Sequence, residues 1–303
     1  MDDGLPALTV SQVSVSFGGV AALTDVNLVV WPGMVTGLIG PNGAGKTTLF
    51  NVISGLQEPD RGTVHFFATD MTGMKPYRRA RLGLARTFQL LELFGTLTAG
   101  ENVQVGLDST VKWWQWRYLL RAFGRRRAAG SETGSERSES GSESGPESGP
   151  EALRSCDRLL AEVGLAGKAD EQANAMPTGL ARTVELARGL AIGPRLLLLD
   201  EPGSGLDEAE SRALGALLVR LASNGMAVLL VEHDMSLVMR ICDKIDVLDF
   251  GHVIATGTPE EIRSNPAVQA AYLGAGSTDG PSVAGEVGEA GGPAVAGGAG
   301  GTP

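Results

Sequence analysis

Two short strings in this chain place phosphate-handling residue types at usable spacing: GPNGAGKTT over Gly40–Thr48 and RLLLLDEP over Arg195–Pro202. In the first, Gly40, Gly45, Lys46 and Thr47 satisfy the pattern G-x-x-x-x-G-K-[S/T]. Gly40, Pro41, Asn42, Gly43, Ala44 and Gly45 make a loop whose glycines let the backbone wrap an anion with several N–H groups turned inward. The helix expected to follow, with Thr47 and Thr48 in its first turn, presents its positive end to the same anion. Lys46 then reaches the β- and γ-phosphates of a nucleoside triphosphate, and the Thr47 hydroxyl coordinates magnesium. In the second string, four leucines run into Asp200 and Glu201. Asp200 is suited to hold the metal through water and Glu201 to polarise an attacking water, a form of acid-base help that contributes ~10²–10⁴-fold in rate. Together the strings predict that the chain binds a nucleoside triphosphate with Mg²⁺ and hydrolyses it. A lone Gln89 lies between them and a lone His233 after them.

The elements that must position these residues are legible from pattern. Ala7–Phe17 alternates apolar and polar residues as a strand does, and Val26–Trp31 and Met34–Ile39 read as strands broken at Pro32-Gly33. Lys46–Leu56 reads as a helix ending near Gly55, Gly62–Phe67 as a strand, Pro76–Gly83 as helical and Thr87–Gln89 as a short buried strand. From Leu90 to Thr183 the pattern is helical and loop-like. Arg195–Leu199 and Met226–Val231 are continuous apolar runs, the mark of parallel strands covered on both faces, with an amphipathic helix over Glu208–Ser223 between them. Lys244–Phe250 and His252–Ala255 flank a turn at Gly251. Strands alternating with helices predict an α/β class with a parallel central sheet and a helical insertion.

The chain has 303 residues, but 128–150 is almost entirely Ser, Gly, Glu and Pro, and 275–303 is Gly, Ala, Pro and acid. Neither buries enough apolar surface to offset chain entropy, so both are expected to be disordered. The net charge of -10 is largely theirs: about -4 in the first and -3 in the second, leaving -3 for the rest. The overall acidity therefore points to no partner. Two distant cysteines, Cys156 and Cys242, fit a reduced compartment. No apolar run reaches the ~18–20 residues a spanning helix requires, and the first residues lack the form of a signal peptide. The stretch VKWWQWRYLLRAFGRRR at 111–127 puts Trp113, Trp116, Leu120 and Phe123 on one helical face beside a cluster of Lys and Arg. An ordinary helix of the helical insertion, contact with a membrane partner and a helix lying on anionic lipid all remain open for it. Its basic run is short and acid follows directly, so nucleic acid is excluded as the main target.

With these strings in their order, the chain resembles the nucleotide-binding subunits of ABC transporters. The resemblance implies a P-loop NTPase fold over 7–274: a RecA-like parallel-sheet core with an antiparallel β subdomain (7–90 and 182–257), an inserted α-helical subdomain (91–181) and a C-terminal helix (257–274). It implies that Phe17 stacks on the adenine of ATP. Gln89, in TFQ, would link the site to the membrane partner and touch the metal. Asp207, in GSGLD, would be a nucleotide-contacting loop aspartate, and His233, in LLVEHDM, a catalytic switch near the γ-phosphate. Within the family the chain is most similar to ATPases of branched-chain amino acid importers, through FGGVAALTDVNL, LFGTLTAGENV and GTPEEIRSNPAVQAAYLG. That similarity implies two transmembrane permease subunits, a second ABC ATPase or a second copy, an external substrate-binding protein, and a place on the inner face of the cell membrane. Importers of urea and short amides look alike.

One motif departs from the family. Where LSGGQ is expected, this chain has Met176, Pro177, Thr178, Gly179 and Leu180. Only Gly179 survives, and Pro177 lacks both a hydroxyl and a backbone N–H, each able to contribute ~1.5–3 kcal/mol against a charged phosphate. In a head-to-tail pair with a second ATPase, the chain is expected to form one strong site with its own Lys46 and Glu201 and one weak site facing its own Gly179. A non-transport ABC ATPase and a nucleotide-dependent switch with little turnover stay open as alternatives.

Overall fold

The structure is a computed structural model that describes residues 4–87, 92–109 and 150–275. Gln89, the tryptophan- and arginine-rich stretch at 111–127, nearly all of the acidic insert and the tail from 276 lie outside the described residues.

In chain order the strands are β1 (Leu8–Phe17), β2 (Val20–Val30), β3 (Val35–Ile39), β4 (Arg61–Phe66), β5 (Thr69–Asp70), β6 (Leu84–Arg86), β7 (Leu196–Asp200), β8 (Ala227–Val231), β9 (Lys244–Asp249) and β10 (His252–Gly257). The helices are α1 (Lys46–Ser54), α2 (Pro76–Leu82), α3 (Ala99–Ser109), α4 (Pro150–Glu162), α5 (Thr178–Ala191), α6 (Glu208–Ser223), α7 (Met235–Ile241), α8 (Pro259–Ser264) and α9 (Pro266–Ala275). Two sheets result. One is antiparallel in the order β2-β1-β4-β5, and the other runs β10-β9-β3-β8-β7-β6. In the second, β6, β7, β8, β3 and β9 are parallel neighbours and only β10 is antiparallel.

The apolar runs explain this layering. Every residue of β3, β7 and β8 is buried, as strands covered on both faces must be. Successive side chains alternate between the two faces. Leu197, Leu199, Val228 and Leu230 face a core shared with α3–α8. Leu196, Leu198, Leu229 and Val231 face the other core, made with α1 and the antiparallel sheet. Cys156 and Cys242 are buried and unpaired. No described helix is long and apolar enough to cross a membrane.

Several boundaries differ from expectation, each for a local reason. β6 covers Leu84–Arg86, paired in parallel with Leu196–Leu198; of the strand expected at Thr87–Gln89 only Thr87 is described, and its N–H extends that pairing by donating to the Leu198 carbonyl at 3.0 Å. Gly83, at φ 103°, ends α2 abruptly, and its carbonyl accepts the N–H groups of Arg195 and Leu196, so pairing starts at the next residue. β2 begins at Val20 rather than Val26, because the Gly18-Gly19 turn closes a hairpin that pairs Phe17 with Val20. β9 stops at Asp249, one residue early, since Phe250 turns into the left-handed region at φ 41°. The segment expected as one C-terminal helix is two, α8 and α9. Pro266 cannot continue α8, and the Asn265 side chain accepts the N–H of Ala267 at 2.9 Å to start α9.

Candidate active site

The register of the parallel sheet assembles the site. Asp200 at the end of β7 pairs with Val231 at the end of β8, and Ile39 at the end of β3 lies on Val247 of β9. The loop 40–45, the Asp200-Glu201 pair and Glu232-His233 therefore emerge from one edge of the sheet, the carboxyl edge where ligands of open α/β sheets bind.

The loop is braced from two sides. The N–H of Gly251 donates to the Ala44 carbonyl, and the Gly251 carbonyl accepts the N–H of Thr24, both at 2.9 Å, which ties the loop to the β9–β10 turn and to β2. Gly45 has φ 106°, and a Cβ there would stand 2.6 Å from the Ala22 carbonyl oxygen. At Gly40, φ 150°, a Cβ would run into the Leu248 carbonyl. Gly43, at φ 80°, has open space in place of a Cβ. Gly45 is also the N-cap of α1 and no side chain caps its first turn, so the helix N-terminus keeps its N–H groups for an anion. Lys46 is buried, and its ammonium donates to the carbonyls of Gly40 at 2.7 Å and Pro41 at 2.8 Å. Burial lowers its pKa, while the nearby Glu201 and Asp200 carboxylates raise it. Pro41 and Thr48 are half-buried, while Asn42 and Thr47 are exposed.

Glu201 holds its carboxylate in an unusual backbone. It sits at φ 50°, rare for a residue with a side chain, fixed by its N–H donating to the Val231 carbonyl at 2.9 Å. Its Oε1 lies 2.6 Å from Nε2 of His233. Asp200 is buried at 3.2 Å from the Arg86 guanidinium, which also donates to Asn51 Oδ1 and Ser54 Oγ in α1. Burial raises the Asp200 pKa, opposed by Arg86 and Lys46 and reinforced by Glu201. Lys46, Asp200, Glu201 and His233 thus converge on one edge of the sheet.

The other described residues singled out from the sequence occupy strand ends and helix starts. Phe17 ends β1 and is 51% exposed, open to stacking on a flat ring. Asp207 is the N-cap of α6: it accepts the N–H of Glu210 at 2.8 Å while Glu210 Oε2 accepts its own N–H at 3.0 Å. Gly179 lies in the first turn of α5, buried against the Glu210 carboxylate, and Pro177 caps that helix without a side-chain hydrogen bond. Gln89 is outside the described residues.

Sequence reasoning missed several buried charges, among them Arg86, Glu232 and Arg79. Arg86 precedes the TFQ string and Glu232 precedes His233; a charge at the end of a buried strand was the signal in both cases. Arg79 is fully buried and donates to the carbonyls of Val52 and Ile53, both at 2.7 Å, closing the C-terminal end of α1.

The loop, the uncapped helix N-terminus and Lys46 fit a triphosphate. Among the described residues no group of three His, Cys, Asp or Glu could hold a metal by itself. Asp200 and Thr47 are instead the hard oxygen donors that suit Mg²⁺ carried with phosphates.

Comparison with known proteins decides the family. The ABC transporter family model matches residues 23–204. The chain belongs to that family. A second model, described as branched-chain amino acid ATP-binding cassette transporter, matches residues 252–278. The chain is 38% identical over 270 residues to the high-affinity branched-chain amino acid transport ATP-binding protein LivG of Escherichia coli, covering 89% of this chain and 98% of that protein. It is 40% identical over 270 residues to the corresponding protein BraF of Pseudomonas aeruginosa, with the same coverage. Among solved structures, an ATP-binding cassette of an ABC transporter in its ADP conformation superposes with a TM-score of 0.73 at 27% identity, covering 89% of this chain and 99% of that one. A nucleotide-free cassette gives 0.71 at 27% identity, covering 88% and 99%. The α/β cassette fold and ATP hydrolysis follow from this membership.

Proposed function

We propose that this chain is the ATP-hydrolysing subunit of an importer that takes up branched-chain amino acids or a related small polar solute. The observation that carries the hydrolytic part is the 2.6 Å contact between Glu201 and His233 beside the buried Lys46. Lys46 and the N–H groups of Gly40–Thr48 hold the phosphates. Glu201 orients the attacking water and draws on its proton, and His233 keeps that carboxylate aimed. Asp200 and Thr47 hold Mg²⁺, which supplies charge neutralisation at the phosphates when bound. Phe17 stacks on adenine, Gly179 and Asp207 contact nucleotide, and Gln89 links the metal to the membrane partner. The solute class is supported by the match at 252–278 and by the names of the relatives.

The chain works with two permease subunits, a second cassette and an external binding protein, as a peripheral protein on the inner face of the membrane. The cassette comprises 7–90 and 182–257 as core, 91–181 as helical subdomain and 257–274 as C-terminal segment. Its degenerate 176–180 signature makes the composite site that it completes for the partner the weaker of two.

E201Q tests the chemistry. It is expected to keep Mg-ATP binding and to lose ~10²-fold or more in single-turnover hydrolysis; turnover within threefold of wild type refutes the assignment. Uptake of labelled leucine by cells lacking and regaining this gene tests the solute class, with unchanged uptake refuting it.

A further inference from the structure

Glu232 stands between the end of β8 and His233 and is 4% exposed. Its Oε1 accepts the N–H of Gly203 at 2.5 Å, and its Oε2 accepts the N–H of His233 at 3.2 Å. The backbone of Asp234 also hydrogen-bonds to this carboxylate. Gly203 is two residues beyond Glu201, in the turn where the Ser204 N–H donates to the Glu201 carbonyl at 3.1 Å. One buried carboxylate therefore holds both the turn two residues beyond Glu201 and the main chain of His233. Glycine at 203 is required for this approach: a Cβ there would stand 2.8 Å from the Glu232 Oε1 and 3.4 Å from Leu237 Cδ2. Burial raises the Glu232 pKa, and the three backbone donors oppose that shift. A carboxylate taken out of water depends on such hydrogen bonds to offset its lost hydration.

We propose that Glu232 is a positioning residue for hydrolysis, tying the turn after Glu201 to the backbone of His233 and so setting the distance between those two side chains. The chemistry requires two acceptor oxygens. A glutamine has the same shape, but its amide nitrogen would face one of the N–H groups as a second donor. E232Q therefore releases one loop while leaving the packing in place. The inference rests on Glu201 and His233 being the hydrolytic pair.

The test uses the full-length chain with labelled histidines. There are three, His65, His233 and His252, so the His233 ring signals can be assigned by substitution. In E232Q and in G203A the His233 signals are expected to move toward the positions they take in E201A. Single-turnover hydrolysis should fall about tenfold, the effect of one hydrogen bond to a charged group, with Mg-ATP affinity kept within about threefold. Combining E232Q with G203A should add little, since both break one bond. Unmoved His233 signals in folded E232Q, or losses that multiply in the double variant, overturn the proposal. If E232Q does not fold, G203A carries the same readouts. Wild-type turnover in E201Q would instead remove the hydrolytic pair, and the histidine signals separate the two failures because they need no turnover.

Discussion

Replacing Arg86 with methionine removes one half of a buried ion pair. The side chains of Arg86 and Asp200 are 8% and 6% exposed, at 3.2 Å. Removing one member of such a pair costs ~3–5 kcal/mol, mostly because the other charge stays behind without its partner. Lys46 remains close enough to favour the Asp200 carboxylate, so the low end applies, about 3 kcal/mol. For a cassette of this size, 1 kcal/mol moves Tm by roughly 2–4 °C, which gives a fall of about 6–12 °C. Denaturant and thermal unfolding at pH 7 would measure it. The pH dependence has a definite sign. Asp200 has a raised folded-state pKa, and Arg86 is the main influence opposing that rise. Without Arg86 the folded-state value climbs further, so the destabilisation is full at neutral pH and shrinks as acid protonates the folded carboxyl. The R86M/D200N pair should recover at least 1 kcal/mol over the sum of the single changes. Additive losses within about 0.5 kcal/mol, or a cost independent of pH between 7 and 4, would refute the ion-pair reasoning.

Arg79→Met removes the guanidinium that donates to the carbonyls of Val52, Ile53, Thr72 and Met74, leaving Val52 only its bond from the Gly55 N–H, and should cost about 3–5 kcal/mol, read as a lower denaturant midpoint. Burial lowers the Arg79 pKa to about 10, so it stays charged at neutral pH and this loss is the same from pH 6 to 8. Asp234→Ala removes the N-cap of α7 and should cost about 1 kcal/mol at pH 7. Hydrogen bonds from Ser236 and Leu237 lower the Asp234 pKa, so its contribution is present above the usual aspartate value and fades as pH falls through the lower folded one; unfolding at pH 7 and pH 3 compares them. Gly45→Ala forces a Cβ against the Ala22 carbonyl in a left-handed backbone and should weaken Mg-ATP binding by tenfold or more, read by titration with a fluorescent ATP analogue.

Local sequence determined much of this protein. The glycine spacing at 40–45 and the lysine after it dictate a phosphate loop, because only that backbone freedom and that charge suit an anion. The continuous apolar runs ending at Asp200 and Val231 dictate strands buried on both faces, because no half-exposed sheet would hide four leucines in a row. These signals act over a few residues and need no distant partner to be read. What only the tertiary structure decided is which charges meet. Arg86 reaches Asp200 across 114 positions, Glu201 meets His233 across 32, and Glu232 takes the N–H of Gly203 across 29. Each of these contacts is set by the parallel register of β6, β7 and β8, and a strand's own residues do not specify its neighbour. The start of β6 shows the same limit: the local pattern marks no strand over Leu84–Arg86, yet pairing with Leu196–Leu198 beyond the Gly83 carbonyl makes one there. Long-range pairing energy overrides short-range propensity wherever a buried backbone must find its hydrogen bonds.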